Sequence, residues 1–214
     1  MAAVEISGKR ARMFRVTHIA NVPWILENGL HCKSSAIVDP GFERIGNLEL
    51  IQKRASRNIP IEPQGTLSDY IPFYFTPYSM MMYNIKTGYG EIRHVPNKDL
   101  VLLVTSIHHI EKRGLDFVFT DRHAYLKTAQ FFNSSANLNE IDWELLQSRD
   151  FQRDPDDPAK TDRYQAEALV HQQMTMQDLL GIVCYTKNEM GTLMQHVADS
   201  GLDTKVVARP GWYF

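Results

Sequence analysis

Glu167 is the residue whose surroundings most invite chemistry. It stands in Gln165-Ala166-Glu167-Ala168-Leu169-Val170, an acid among small and apolar neighbours, just after a charged, proline-punctuated loop. Read as a strand, the segment places Glu167 on one face with Gln165 and Leu169. A carboxylate there is costly to bury unless it is paired or functional. The same pattern also fits an ordinary surface glutamate on a helix, which is the commoner case. The 8 histidines raise a metal centre, but His108 and His109 are adjacent and project apart, and His18, His94, His123 and His171 are scattered. No HExxH or HxH occurs, so no metal is expected. Asp121-Arg122-His123 resembles a fragment of a metal nuclease without the companion residues. There is no GxSxG for serine chemistry, and Cys32 and Cys184 form no CxxC. Cys184, inside Gly-Ile-Val-Cys-Tyr, reads as a buried core thiol.

Basic residues cluster twice. Lys53, Arg54 and Arg57 lie in one short segment, and Arg149, Arg153, Lys160 and Arg163 punctuate a second that also carries Asp150, Asp154, Asp156, Asp157 and Asp162. Charge pattern alone reads the second as solvated loop charges that pair loosely. With 23 basic against 25 acidic side chains and a net charge of -2, the chain lacks the overall basicity of many nucleic-acid binders, so any such role rests on local patches.

The elements that must position these groups follow from the periodicities. At 214 residues, 43% apolar and 22% charged, the expectation is one globular domain, residues 1–214. The N-terminal stretch has no apolar leader and no apolar run approaches about 18 residues, so a soluble, non-membrane protein is expected. The sparse cysteines suit a reducing cytoplasm. Arg12–His18 alternates as a strand, and Asn21, Pro23 and Gly29 bracket a short helix. Leu48–Arg57 has helical spacing. Tyr70–Thr76 is a strand that Pro72 assigns to an edge or a strand start. Ser79–Ile85 reads as a helical turn. Asp99–Ser106 and Asp116–Thr120 are buried strands, and Tyr125–Phe132 and Ile141–Gln147 are helices. Gln165–His171 is helix or strand, Gly181–Tyr185 strand, Asn188–Ser200 amphipathic helix, and Thr204–Ala208 a closing strand. With no GxGxxG, no GxxxxGK[ST] and no regular βα alternation, an irregular α+β fold on antiparallel strands is expected.

Several longer stretches carry a resemblance. They are RVTHIANVPWILENGLHC (15–32), IQKR (51–54), GTLSDYIPFYFTPYSMMMYNI (65–85), DFVFTDRHAY (116–125), the 141–170 segment ending in QAEALV, and the terminal GWYF. Through them the chain resembles the DarT family of NAD-dependent DNA ADP-ribosyltransferases, the toxins of bacterial toxin–antitoxin pairs, and within it the thymidine-modifying branch. The resemblance implies a compact ADP-ribosyltransferase (PARP-like) α+β fold, with antiparallel sheets around an NAD cleft. It implies NAD as cosubstrate, single-stranded DNA as acceptor, and a cognate antitoxin with a macrodomain-type ADP-ribosyl hydrolase as partner. Glu167 matches the catalytic glutamate, which steadies the oxocarbenium-like ribose as nicotinamide departs. Arg54 matches an arginine placed by the NAD phosphates and near the thymine N3. Arg15, Val16 and Thr17 correspond to the NAD-contacting strand, and Trp24 to the helix after it. Phe73, Tyr74 and Tyr78 serve either packing or stacking. Residues 149–165 take the place of the substrate loop, with Arg149, Arg153, Lys160 and Arg163 meeting DNA phosphates along an extended segment, and His123 shaping the site. The alternatives are the same fold acting on guanosine, RNA or protein, and a catalytically idle nucleic-acid-binding module.

Overall fold

The computed structural model describes residues 4–214. Its strands are β1 (Arg12–His18), β2 (Leu30–His31), β3 (Tyr70–Tyr74), β4 (Leu100–Ser106), β5 (Phe117–Thr120), β6 (Phe131–Phe132), β7 (Glu167–His171), β8 (Gln173–Met174), β9 (Gly181–Cys184) and β10 (Val206–Ala208). Its helices are α1 (Val22–Asn28), α2 (Leu48–Arg54), α3 (Met80–Thr87), α4 (Ile107–Lys112), α5 (Trp143–Ser148), α6 (Lys160–Arg163) and α7 (Lys187–Asp199).

The main sheet runs β10-β9-β4-β1-β3-β7-β5-β6, and β2 pairs with β8 beside it. Neighbours are antiparallel except β9 and β10, which are parallel. β4 is buried at every residue, as its unbroken Leu and Val run requires, and pairs with β1 from Arg12 to His18. β1 meets β3 at Phe14 and Tyr74 alone. The sheet is therefore two antiparallel-rich halves hinged at one residue pair. Beyond Phe14, β1 and β3 no longer pair, and this split lies where the fold's cleft is expected.

Pro72 corrects an expectation. β3 is not an edge strand: it lies between β1 and β7 in the sheet order. The carbonyl of Pro72 accepts from Arg15 Nη1 at 3.1 Å, so this residue's backbone faces the split, where no ladder needs the missing N–H. Residues 125–132 form turns and β6 instead of a helix. Asp121 Oδ1 accepts the Gln130 amide and His123 Nδ1 the Tyr125 amide, local bonds that displace a helical ladder, while Phe132 stacks on Phe119 at 5.4 Å.

α2 stops at Arg54, short of Arg57, and its start is capped by the Asn47 side chain. Asn21 precedes α1 without capping it. Its amide instead donates to Thr17 Oγ1 and to the Glu43 carbonyl, tying β1 to the 33–46 loop. Gly29 ends α1 at φ +80°, and a Cβ there would collide with the Met174 carbonyl, so only glycine permits this turn. β7 is buried on both faces. Ala168 and Val170 enter the main core with Phe73 and Phe117, and Leu169 packs with Ile59, Tyr70 and Val118 in a second cluster. Glu167 heads this rigid strand.

Candidate functional site

Glu167 is 1% exposed, which settles its reading against the surface helix. Its amide donates to Thr120 Oγ1 at 3.3 Å, fixing the start of β7 to the end of β5. Arg54, the last residue of α2, grips the carboxylate from both sides: Nη1 to Oε1 at 2.9 Å and Nη2 to Oε2 at 2.8 Å. The Ala124 amide donates to Oε1 at 3.1 Å, and His123 Nδ1 lies 3.3 Å from the same oxygen. Burial is the largest influence on Glu167 and pushes its pKa up. The Arg54 charge, His123 and the donated hydrogen bonds together outweigh it and hold the carboxyl below its ordinary value. The result is a desolvated, ionised carboxylate with fixed orientation. Arg54 mirrors this: burial lowers its pKa, and Glu167 more than restores it.

Tyr74 stands opposite Glu167 in register, so the two side chains share a face. Burial, and then the Glu167 charge, raise the phenol pKa, so the hydroxyl stays neutral. The sequence left Phe73, Tyr74 and Tyr78 equivalent, and the structure separates them. Phe73 is core, Tyr78 donates to the Gly211 carbonyl under the Arg149 guanidinium, and Tyr74 belongs to the site. The signal was present in the strand alternation, but choosing Tyr74 required the β3–β7 register.

Arg15 crosses the split to Pro72, and its Nε is buried without a partner. Desolvation lowers its pKa to about 10, which leaves it cationic at neutral pH. Val16 and Thr17 are buried, and Thr17 Oγ1 is taken by Asn21, so their contribution to a ligand would come from backbone on the split. Trp24 packs against the core, edge-on to His31 at 5.9 Å.

The 149–165 segment departs from the expected extended array of phosphate contacts. Lys160 Nζ is 2.6 Å from Asp150 Oδ2. Arg163 binds Asp157 through both Nη atoms at 2.9 and 2.7 Å, and Asp142 through Nε at 3.1 Å. Arg149 takes a left-handed conformation at φ +59° and lays its guanidinium 3.8 Å from the Tyr78 ring centre. Phe151 packs against Tyr164 and Tyr83 at 5.2 and 5.3 Å. Alternating charges thus fold this loop on itself, because Asp and cation neighbours a few residues apart meet once the chain turns. Lys160 and Arg163 act as staples, and Arg153 is exposed without an ion-pair partner among the described residues.

Among the described residues no three His, Cys, Asp or Glu side chains converge as a metal site. Cys32 and Cys184 are buried and unpaired, and burial pushes the Cys184 thiol up to about 11, away from nucleophilic use.

Comparison with known proteins converges on one family. The family model described as "ssDNA thymidine ADP-ribosyltransferase, DarT" matches residues 14–214. A DNA ADP-ribosyl transferase of Escherichia coli O127:H6 is 45% identical over 212 residues, covering 99% of this chain and 97% of that protein. Among solved structures, Thermus sp. 2.9 DarT in complex with ADP-ribosylated ssDNA is 28% identical and superposes with a TM-score of 0.88, covering 96% of this chain and 97% of that one. The same Thermus protein in complex with NAD+ gives 29% identity and a TM-score of 0.83, with 96% and 98% covered.

Proposed function

The chain belongs to the DarT family of single-stranded-DNA thymidine ADP-ribosyltransferases, and from that premise we propose that it transfers ADP-ribose from NAD to thymidine in single-stranded DNA, releasing nicotinamide. The observation that carries the reading is Glu167: a buried, ionised and rigidly held carboxylate at the head of β7, beside the split between the sheet halves.

The split fits NAD on its own terms. Along Arg15, Val16 and Thr17 alternate residues of β1 turn their backbone N–H and C=O away from β4 toward the split, where they suit a carboxamide, and Arg15 Nε is buried with no partner among the described residues. Trp24 flanks this strand on α1. In the reaction the glycosidic bond to nicotinamide breaks and its electron pair leaves with the ring, while a bond forms from the thymine N3 to the ribose C1′. Glu167 accepts a ribose hydroxyl and faces the positive charge that develops at the sugar. Fixed opposite charge in a water-poor site lowers that barrier more than it strengthens ground-state binding. Arg54 orients Glu167, and each of its terminal nitrogens keeps a further N–H for a phosphate or for the thymine anion. Guanidinium is too weak an acid to serve as a base, so the N3 proton goes to water or a neighbour. The Ala124 amide holds one carboxylate oxygen, and the His123 ring lies against the same atom.

The stapled 149–165 loop supplies a preformed surface for the acceptor. Arg153 is its open cation, and Arg149, Lys160 and Arg163 set its shape. A single strand needs little energy to present a base to such a site. Residues 1–214 act as one catalytic domain, working in the cytoplasm as the toxin of a toxin–antitoxin pair whose antitoxin carries a macrodomain-type hydrolase. Among the described residues no helix is long and apolar enough to cross a membrane.

The test is mass spectrometry of oligonucleotides incubated with NAD. A thymidine oligonucleotide should gain one ADP-ribose per target base. Modification of guanosine, RNA or protein substrates with thymidine untouched would overturn the acceptor assignment. Cells making the wild-type chain without an antitoxin should stop growing, and normal growth would overturn the toxin assignment.

A further inference from the structure

A groove of about 380 Å³ crosses one face of the other half of the sheet, over β1, β4, β9 and β10. Register sets its floor: Val207 lies beside Val183 in the parallel pair, so the two project to one face. Trp212, edge-on to Phe14 at 5.6 Å, forms a wall. Every charged side chain lining the groove is basic, namely Arg12, Lys205 and Arg209. Gly181 brings one of them in. At φ +151° it lets the Lys205 carbonyl approach to where a Cβ would stand 2.6 Å away, so β10 closes on β9.

These cations are uncommitted. Among the described residues neither the Arg12 nor the Lys205 side chain has a hydrogen-bond partner, and the Arg209 side chain donates only to its neighbour, the Ala208 carbonyl. Glu5, which feels the Arg12 charge, is engaged by Arg10 and Ser7. On a chain of net charge -2, three cations with no carboxylate among them make a local positive field.

We propose that this groove is a second contact surface for single-stranded DNA, holding the strand several nucleotides from the modified thymidine. The inference rests on the reading of single-stranded DNA as the acceptor. An apolar floor and an indole beside spaced cations match what a single strand presents, bases with open faces and a phosphate on every nucleotide. An acidic peptide would use the cations and leave the floor and indole without a partner. In the sheet order β10 is five strand spacings from β7, about 24 Å at ~4.8 Å per spacing. That is about seven stacked nucleotides at ~3.4 Å each. A five-nucleotide substrate reaches one surface, and a twenty-nucleotide substrate reaches both.

The experiment uses the full chain and two oligonucleotides, of five and twenty nucleotides, each with one target thymidine. Affinity is measured by fluorescence anisotropy across a salt series, and transfer by single turnover with NAD. The wild type should bind the longer strand at least tenfold more tightly. The variant Arg12→Gln/Lys205→Gln/Arg209→Gln should lose that advantage, and its salt slope on the longer strand should fall by about two, from about 0.7 per lost phosphate contact. Transfer to the short strand should be unchanged. Trp212→Leu should weaken the longer strand about fivefold or more with the salt slope intact, a signature of lost stacking. Wild-type affinity and salt slope in the triple variant would overturn the proposal. So would polyglutamate binding that depends on the three cations while the longer strand binds independently of them. Failure of wild type to modify either oligonucleotide would instead overturn the activity reading, and the binding arm would still decide the groove.

Discussion

Removing Arg54 should destabilise the fold far more than an ordinary helix-end arginine would, because of what it leaves behind. Its side chain is 12% exposed and that of Glu167 1%. Arg54→Ala would strand a desolvated carboxylate with the Ala124 amide as its remaining hydrogen-bond donor among the described residues. Breaking a buried, doubly hydrogen-bonded pair from one side costs about 3–5 kcal/mol. For a chain of this size that corresponds to a fall in Tm of roughly 6–20 °C, at ~2–4 °C per kcal/mol. The double variant Arg54→Ala/Glu167→Gln removes the stranded charge and should recover much of the loss, without recovering transfer.

A pH signature separates this cause from lost packing. In the wild type the Glu167 pKa is depressed. Its contribution is therefore present above the ordinary carboxyl pKa of ~4.3 and is lost as pH falls through the lower folded value. Without Arg54, burial dominates and raises the pKa. The folded variant then binds the extra proton, and its deficit shrinks as pH is lowered from 7 toward 5. Urea unfolding of wild type, single and double variants at pH 7 and pH 5 measures all of this. A single variant within about 1 kcal/mol of wild type, or a double variant no more stable than the single, would refute the reasoning.

Three other outcomes follow from the same geometry. Glu167→Ala should leave NAD affinity by calorimetry nearly intact while single-turnover transfer falls by about a hundredfold or more, the scale of losing one transition-state charge partner; near wild-type transfer would remove Glu167 from the catalytic role. Arg153→Ala should raise KM for the oligonucleotide with little change in Tm, whereas Arg163→Ala, which cuts the bonds to Asp142 and Asp157, should also make the 149–165 loop more sensitive to limited proteolysis; equal proteolysis of the two variants would argue against the staple. Gly29→Ala should cost about 1–3 kcal/mol by urea unfolding, since the turn is left-handed and the Met174 carbonyl fills the space; an unchanged midpoint would mean the turn relaxes freely.

What the sequence determined by itself was the set of local elements whose patterns are strong. β1, the buried run of β4, α7 and the strand at Gly181 were legible because each is specified by its own periodicity or apolar run. The α+β class followed from them, and quoted motifs led to Glu167 and Arg54. Pattern alone did not determine Glu167: an acid between two alanines is equally a surface glutamate until a strand on each side buries it. Only the tertiary structure decided that Arg54, from a helix more than a hundred residues earlier, closes on that carboxylate. It also decided that Tyr74 and not Phe73 or Tyr78 faces Glu167, because facing depends on β3–β7 register. Pro72 was misplaced because the rule keeping proline to edges concerns hydrogen bonds, and a split sheet creates an internal edge that no local pattern announces. The charged loop was only partly legible for a related reason. Charge identity is written in the sequence, but whether Lys160 and Arg163 meet solvent, DNA or their own aspartates depends on how the chain turns, and Coulomb attraction acts on that distance in space.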